Sequence, residues 1–249
     1  MKKHLAILRA YAAGDAFGAY YENLPPQSDI PHQMMAKAGW PLGGISDDTE
    51  LTLLTIESLR EENFLDLLRA ATPRLRGLGP TTRHALGLPV KEEEVSQIGN
   101  TNGAMMRTAL LGLYFQGSAE QDPWITRSVR CTHSSDAALE NSLKMARYFA
   151  GEPLPETSWS SGSPSNDPTE THDAVVHVVR TAKSIADVYI KACQLGGDTD
   201  TVAALSGALY LLLHENEIAD FEVLPWIADV LWDEFEERLI EAAKVLAHE

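Results

Sequence analysis

Two short stretches of the chain share one pattern, in which a glycine pair is followed by clustered carboxylates and hydroxyls and then by an apolar run. The first reads GGISDDTELTLL over residues 43–54, and the second reads GGDTDTVAALSGALYLLL over residues 196–213. One Asp or Thr is enough to cap a helix start, so capping explains only part of each cluster. The carboxylates of the two clusters, together with nearby hydroxyls, are the hard oxygen ligands that Mg²⁺, Mn²⁺ or Ca²⁺ prefer. These carboxylates are Asp47, Asp48, Asp198 and Asp200.

The residue types favour a divalent cation bound by oxygen over a zinc or thiol site. Carboxylates close together raise each other's pKa, and bound cations remove that conflict. Neither Cys-x-x-Cys nor His-Glu-x-x-His occurs, which disfavours zinc. The only cysteines, Cys131 and Cys193, are too few for a disulfide-stapled design and indicate a reducing compartment. Cys131 lies two residues before His133, but no residue that would orient a thiol nucleophile is identifiable.

Three glycine-rich stretches could bind a phosphate or a sugar through backbone groups. RGLGPTTRHAL places Gly79 before Pro80, a residue favoured at the first position of a helix, where free N–H groups can face an anion. GNTNGAMMR offers Asn102 and Gly103 before another apolar run, and GDAFGAYYE leaves Glu22 at the edge of a long loop. Each stretch is weak evidence by itself, because glycine-rich turns before helices are common.

The elements that must position these residues are predicted to be helices. Apolar residues recur at helical spacing, as in Phe235, Leu239, Ala242 and Leu246, and strand alternation hardly appears. Such patterns predict helices near 3–13, 50–61, 64–71, 81–86, 104–115, 139–146, 185–195, 202–214, 224–232 and 235–246. Two segments rich in Pro, Gly and polar residues, 22–44 and about 151–173, are predicted loops. The sequence therefore predicts one all-α domain over residues 1–249.

Composition limits the partners. The 249 residues carry a formal net charge of −16, which argues against nucleic acid and means that an anionic ligand needs local cations or N–H groups. Arg9 interrupts the apolar run that follows Lys2 and Lys3, so no signal peptide is predicted. The longest apolar run, 202–213, is shorter than a membrane span needs. The chain is expected to be a soluble, cytoplasmic monomer.

Six motifs in order, GDAFGAYYE, SDDTE, GPTTR, TNGAMMR, THSSDAA and GGDTDTVAALSGAL, resemble the ADP-ribosylglycohydrolase family over residues 5–214. The resemblance implies a compact, orthogonal bundle of helices with a dinuclear metal site in a central cleft. It implies two Mg²⁺ or Mn²⁺ ions between the acidic clusters, with Ser46 replacing the commoner threonine of the family. The implied ligands are Ser46, Asp47, Asp48, Asp198, Asp200 and Thr201.

The resemblance also implies the remaining site residues. Glu22 matches a glutamate near the metals, and Asp47, Asp48 and Glu22 are the implied catalytic carboxylates. The implied contacts to ADP-ribose are Gly79, Pro80, Thr81, Asn102, Gly103, Met105, His133 and Gly197. Without the family pattern, His133 would be read as a helix cap or a surface residue.

The predicted function is metal-dependent hydrolysis of the glycosidic bond between ADP-ribose and an acceptor, either a protein side chain or a small-molecule conjugate. Asp47 is favoured as general base, with the pyrophosphate near Gly79 and Pro80. Three alternatives stay open: an inactive ADP-ribose-binding pseudoenzyme, a two-metal phosphohydrolase acting on nucleotides, and a helical scaffold with acidic caps. The acceptor linkage and the choice between Mg²⁺ and Mn²⁺ are not set by these motifs.

Overall fold

The structure is a computed structural model that describes residues 1–61, 63–157, 159 and 162–249, and these residues form helices and loops without any strand. The predicted all-α fold is confirmed. The α-helices are α1 (Lys2–Gly18), α2 (Asp47–Glu61), α3 (Phe64–Ala71), α4 (Pro80–Ala85), α5 (Gly103–Thr108), α6 (Leu111–Tyr114), α7 (Gln121–Arg130), α8 (Asp136–Phe149), α9 (Pro168–Thr181), α10 (Ile185–Gln194), α11 (Thr199–Leu213), α12 (Ile218–Glu222) and α13 (Glu236–Leu246). Short 3₁₀ turns lie at Thr72–Arg74, Glu92–Gln97, Glu215–Glu217, Ile227–Asp229 and Trp232–Glu234.

The helices α1 and α11 pack along each other in the core. Every residue of α11 from Thr199 to Leu211 is buried, and so is every residue of α1 from Ala10 to Gly18. Few polar side chains interrupt these stretches on any side, as is typical of helices surrounded by other helices. Within the described residues, the main apolar core draws on side chains from every α-helix except α3 and α4, and a smaller apolar cluster packs α3 against α2 and α5.

The backbones of α1 and α11 touch at two glycines. A Cβ on Gly14 would lie 2.4 Å from the carbonyl oxygen of Ala203, and a Cβ on Gly18 would lie 2.5 Å from that of Thr199. The Thr199 hydroxyl donates a hydrogen bond of 2.8 Å to the Gly18 carbonyl. This close approach fixes the start of α11 against the end of α1, where carboxylates of both helices meet.

We expect Gly18→Ala to destabilise the protein and to weaken the binding of divalent cations. The new Cβ would lie 2.6 Å from the Cα of Asp200, so the start of α11 must shift. Overpacking of this kind costs about 1–3 kcal/mol. Urea unfolding measures the loss, and calorimetry with Mg²⁺ and Mn²⁺ measures binding.

The matched control for Gly18→Ala is Gly79→Ala. A Cβ on Gly79 meets no atom within 4 Å, and the backbone there has a φ of −68° that alanine adopts readily. An unfolding midpoint of Gly18→Ala equal to that of the control would contradict the close contact.

One predicted helix is wrong. Residues 224–232 contain the 3₁₀ turn Ile227–Asp229, followed by extended backbone at Val230, and reach only the first residue of the turn Trp232–Glu234. Tertiary contacts override the helical pattern here: the Trp226 ring stacks on Phe17 at 4.4 Å, and the Leu231 N–H donates to the Gly43 carbonyl at 3.1 Å. The predicted helix 104–115 is also interrupted, because α5 ends at Thr108 and α6 begins at Leu111.

The polar loop predicted at 151–173 ends earlier. Asp167 caps α9 by accepting hydrogen bonds from the N–H groups of Thr169 and Glu170, and Pro168 occupies the first helical position. The pair Asp167-Pro168 is the sequence signal for this helix start. Neither α9 nor α7 is among the helices predicted from the sequence. Ser158, Ser160 and Ser161 of that loop lie outside the described residues.

Among the helices that the structure describes, none combines the length and the apolar character that crossing a membrane would need.

Candidate functional site

A cavity of about 730 Å³ opens where the starts of α2, α4, α5 and α11 face the loop that follows α1. Residues 163–166, just before α9, complete its wall. Its volume lies within the roughly 300–1,000 Å³ of small-molecule sites. The residues of the two acidic clusters therefore reach one shared concave surface.

The floor of this cavity contains a buried acidic centre. Asp15 of α1, Asp48 of α2 and Asp200 of α11 each place one carboxylate oxygen within 4.8 Å of the other two. All three side chains are buried, with relative exposures of 0%, 3% and 4%. Three carboxylates that lie this close together and are this well shielded from solvent form an arrangement that fits a divalent cation.

Asp15 is a member of the acidic centre that the sequence interpretation did not assign. Both of its oxygens accept the Ser46 N–H, at 3.0 and 3.1 Å. Its Oδ2 also accepts the Thr49 N–H at 3.0 Å and the Thr49 hydroxyl at 2.6 Å. Asp15 thus caps the start of α2 from a neighbouring helix. The available signal was a carboxylate amid small, apolar residues in YAAGDAFGA.

Asp48 differs from Asp15 in how its oxygens are used. Its Oδ2 accepts the Ser46 hydroxyl at 3.0 Å, and the same hydroxyl oxygen accepts the Asp48 N–H at 3.0 Å. Its Oδ1 is buried and has no hydrogen-bond partner among the described residues. A buried, unpartnered carboxylate oxygen is costly, and a bound cation would satisfy it.

The second acidic cluster is tied to α5 and α9. Asp198 precedes α11 and accepts a hydrogen bond of 2.5 Å from the side-chain amide of Asn102, which precedes α5. The same amide donates to the Thr171 hydroxyl at 2.8 Å. Asp200 accepts the Thr201 N–H at 3.0 Å. Asn102, which the resemblance implied as a contact to ADP-ribose, thus also ties the second acidic cluster to α5 and, through Thr171, to α9.

Burial raises the pKa of every aspartate in these clusters. The effect applies to Asp15, Asp47, Asp48, Asp198 and Asp200. Neighbouring carboxylates, Asp15 first among them, raise the pKa of Asp48 further. Burial, followed by the charges of Asp15 and Glu22, raises the pKa of Asp47 to about 8. Without cations, the cluster therefore retains protons near neutral pH.

This electrostatic arrangement predicts a pH dependence of stability for the metal-free protein. The Asp47 pKa is about 8 in the folded chain and ordinary, near 3.8, in the unfolded chain, so the folded state binds more protons between these values. Its stabilising contribution is complete below pH 4 and is lost as the pH rises toward 8. In EDTA we expect the Tm to fall by about 5 °C or more between pH 5.5 and pH 8.5.

Mg²⁺ or Mn²⁺ should reverse much of this fall, because cations favour the ionised carboxylates. The variant Asp47→Asn should flatten the slope in EDTA. A Tm in EDTA that is constant or rises over this pH range would contradict the prediction.

Glu22 lines the cavity from the long loop between α1 and α2. It forms an ion pair with Lys37, whose ammonium lies 4.4 Å from the centre of the Trp40 ring. Lys37 and Trp40 were not singled out from sequence, because the loop that joins them has no periodic pattern. Their contacts hold the carboxylate of Glu22 at the cavity wall.

Most of the predicted site residues line the cavity. They are Glu22, Asp47, Asp48, Gly79, Pro80, Asn102, Gly103, Gly197, Asp198, Asp200 and Thr201. Ser46, Thr81, Met105 and His133 are not part of the lining. Ser46 and Thr81 lie just behind it, where Thr81 accepts the Gly99 N–H at 3.0 Å and the Thr101 hydroxyl at 3.0 Å.

Met105 does not face the cavity. The structure buries it completely in the core, and its neighbour Met106 lines the cavity instead. In a helix, adjacent residues point in directions about 100° apart, so sequence alone left the choice of methionine open.

His133 is neither a cap nor a surface residue, since only 2% of it is exposed. Its ring nitrogens lie 2.9 Å from the Thr101 hydroxyl and 2.8 Å from the Thr132 hydroxyl. Burial and the nearby Arg107 lower its pKa to about 3. The neutral ring packs beneath Gly103, where a Cβ would lie 3.5 Å from Nε2. His133 therefore supports the cavity wall and offers no positive charge to a ligand.

Comparisons with known proteins agree with this description. A family model described as ADP-ribosylglycohydrolase matches residues 2–151. The ADP-ribosyl-[dinitrogen reductase] glycohydrolase of Rhodospirillum rubrum is 27% identical over 251 residues, which cover 82% of this chain and 83% of that protein. A solved structure of an ADP-ribosylglycohydrolase-related protein complex superposes with a TM-score of 0.80 at 22% identity, over 98% of this chain and 97% of that one. At that identity, the structural likeness supports the fold alone.

Proposed function

The chain belongs to the ADP-ribosylglycohydrolase family, and we propose that it hydrolyses the glycosidic bond between ADP-ribose and an acceptor with two divalent cations. Hydrolysis of ADP-ribose conjugates is the activity of the family, and dependence on metal is a family property. The observation that carries the proposal is the buried acidic centre at the floor of the cavity, with its unpartnered Asp48 oxygen.

The donor set fits Mg²⁺ or Mn²⁺. Every side chain of the centre offers oxygen, which these hard cations prefer. We assign Asp48 and Asp200 as the central ligands and add one Asp15 oxygen to the predicted set. The other proposed ligands are Ser46, Asp47, Asp198 and Thr201. When bound, such cations supply positive charge that polarises substrate oxygens and lowers the pKa of water.

The carboxylates at the cavity wall supply the remaining chemistry. An oxocarbenium-like transition state is positive at the sugar, so the carboxylates that surround it stabilise it. Asp47 lines the cavity, and a Cβ on the adjacent Gly77 would lie 2.9 Å from its Oδ1, so this carboxylate is tightly enclosed. We assign Asp47 as the general base toward water. Glu22, held by Lys37, and Asp48 are the other candidates for proton transfer.

The ADP-ribose moiety is proposed to lie along the walls. Asn102, which contacts Asp198, lines the cavity together with Gly103 and Gly197, as do Gly79 and Pro80 at the start of α4. The Rhodospirillum rubrum relative is named for an ADP-ribosylated protein. We therefore propose a mono-ADP-ribosylated protein side chain as the first substrate class and small-molecule conjugates as the second.

We also propose that residues 1–249 form one domain, which acts as a monomer and binds no nucleic acid. The main core, to which every described α-helix except α3 and α4 contributes, and the packing of α3 on α2 and α5 support one domain, and the net charge of −16 disfavours nucleic acid. Size-exclusion chromatography with light scattering checks the monomer.

The test is release of free ADP-ribose from arginine-linked and serine-linked ADP-ribosylated proteins. Reactions contain Mg²⁺, Mn²⁺ or EDTA, with Asp47→Ala as the control. Metal-dependent release that the variant lacks supports the proposal and identifies the bond. Release of inorganic phosphate in place of ADP-ribose would indicate a phosphohydrolase. ADP-ribose binding without release from any conjugate would indicate a binding module.

A further inference from the structure

The cavity is strongly acidic, and Arg83 is the single cationic side chain among the described residues that line it. The acidic residues of the lining are Glu22, Asp47, Asp48, Glu94, Asp198 and Asp200. A ligand with two phosphates would be repelled by this field unless a local cation offset it. Arg83 is therefore the described side chain of the lining that can offset the charge of an anionic ligand.

Of the two Arg83 donors Nε and Nη2, only Nη2 has a partner among the described residues. Its Nη2 forms an ion pair with Glu94, which also lines the cavity. Its Nε is buried and has no hydrogen-bond partner among the described residues. Nε and Nη2 lie on the same edge of the guanidinium plane, and this edge is the one that binds two oxygens of a carboxylate or phosphate side by side. Glu94 uses one half of that edge and leaves the other half unused.

Glu94 has a second partner that remains if Arg83 turns to another anion. The Lys91 ammonium lies 3.8 Å from Glu94 Oε1, and the Lys91 N–H donates to Glu94 Oε2 at 3.4 Å. Loss of the Arg83 contact therefore leaves Glu94 beside a positive charge at the protein surface. An incoming anion can therefore displace Glu94 from Arg83 without leaving a buried carboxylate unpaired.

We infer that Arg83 binds the pyrophosphate of the substrate and that Glu94 occupies its place until the substrate arrives. The inference rests on the proposed function, because pyrophosphate is the anionic centre of ADP-ribose. One phosphoryl group takes both Nε and Nη2, which satisfies the unpartnered N–H. Arg83 thereby supplies the diphosphate with a positive charge from the protein itself, in addition to the charge that the proposed divalent cations would supply.

The test compares the binding of ADP-ribose and of adenosine by calorimetry in wild type, Arg83→Gln and Arg83→Lys. We expect Arg83→Gln to weaken ADP-ribose binding by about 10-fold to 100-fold, as loss of a charged hydrogen bond does, and to change adenosine binding by less than about twofold. Arg83→Lys should recover only part of the loss, because lysine lacks the planar fork. Arg180→Gln, which breaks an Arg–Glu pair outside this cavity, is the matched control.

Glu94→Gln separates the proposed exchange from a structural ion pair. We expect this variant to bind ADP-ribose several-fold more tightly, because the competing carboxylate is gone. Glu93→Gln removes the same charge one residue away and should leave binding unchanged. Equal or weaker binding by Glu94→Gln would overturn the exchange, because a structural pair loses function when either partner is removed.

Failure of this inference is distinguishable from failure of the proposed function. Cleavage of conjugates by Arg83→Gln with an unchanged KM would overturn the role of Arg83 and leave hydrolysis intact. Arg83-dependent binding of ADP-ribose without cleavage by wild type would support the role of Arg83 and overturn hydrolysis. Circular dichroism of each variant establishes that it is folded.

Discussion

The variant Asp48→Asn is expected to lose divalent-ion binding and turnover while becoming more stable than wild type in EDTA. The loss of activity should reach about a thousandfold or more, because cations at such sites contribute several kcal/mol to the transition state. The gain in stability has a separate cause. Asp48 is buried beside Asp15 and Asp47, and its Oδ1 has no partner within the described part of the chain. A neutral amide requires neither a buried charge nor the uptake of a proton on folding, and it can donate to its neighbours.

Two measurements check this expectation. Calorimetry with Mg²⁺ and Mn²⁺ follows binding, and thermal unfolding in EDTA at pH 7.5 follows stability, where we expect a rise in Tm of a few degrees. Asp233→Asn, which changes an exposed aspartate in the turn Trp232–Glu234, is the control and should alter neither quantity. Unchanged Mg²⁺ affinity in Asp48→Asn would remove Asp48 from the proposed metal site.

The variant Asp15→Ala is expected to be less stable than wild type in EDTA, whereas Asp48→Asn is expected to be more stable. Asp15 accepts the N–H groups of Ser46 and Thr49 and the Thr49 hydroxyl, all of them buried. Alanine leaves two backbone donors at the start of α2 without an acceptor, and each such group costs about 1–3 kcal/mol. Relief of charge crowding offsets part of this loss, so we expect a net destabilisation of about 2–4 kcal/mol. Divalent-ion binding should fall with it, because Asp15 is itself a proposed ligand and α2 carries Asp48.

Urea unfolding in EDTA measures the effect. Asp15→Asn keeps one oxygen acceptor and should be destabilised by less than half as much as Asp15→Ala. Equal stability of Asp15→Ala and Asp48→Asn would contradict the role of Asp15 in capping the start of α2.

The parts of the site that could be predicted from sequence are those with a local signal. The two acidic helix starts were recognisable because glycine pairs precede them, and the structure brings Asp48 of one beside Asp200 of the other. The resemblance implied Asn102 as a contact to ADP-ribose, and Asn102 lines the cavity beside Asp198. The all-α fold followed from apolar spacing, which most helices of the bundle display.

The parts that could not be predicted depend on contacts between distant segments. Asp15 looked like one polar residue in a helix, and its role arises only when α1 packs on α2 and α11. The choice between Met105 and Met106 depends on how a six-residue helix is rotated in the bundle. Residues 224–232 carried a helical pattern, but Trp226 and Leu231 contact remote segments, and the backbone there forms one 3₁₀ turn followed by extended structure.

The close packing of α1 on α11 sets the order in which the chain can assemble during its synthesis. Thr199 and Gly18 are hydrogen-bonded across 181 positions of sequence. At the usual rate of translation, α1 waits on the order of ten seconds or more for α11 to be made. Until then its apolar surface is uncovered, and Asp15 remains hydrated and ionised. The apolar core and the acidic centre can therefore close only after α11 has been made.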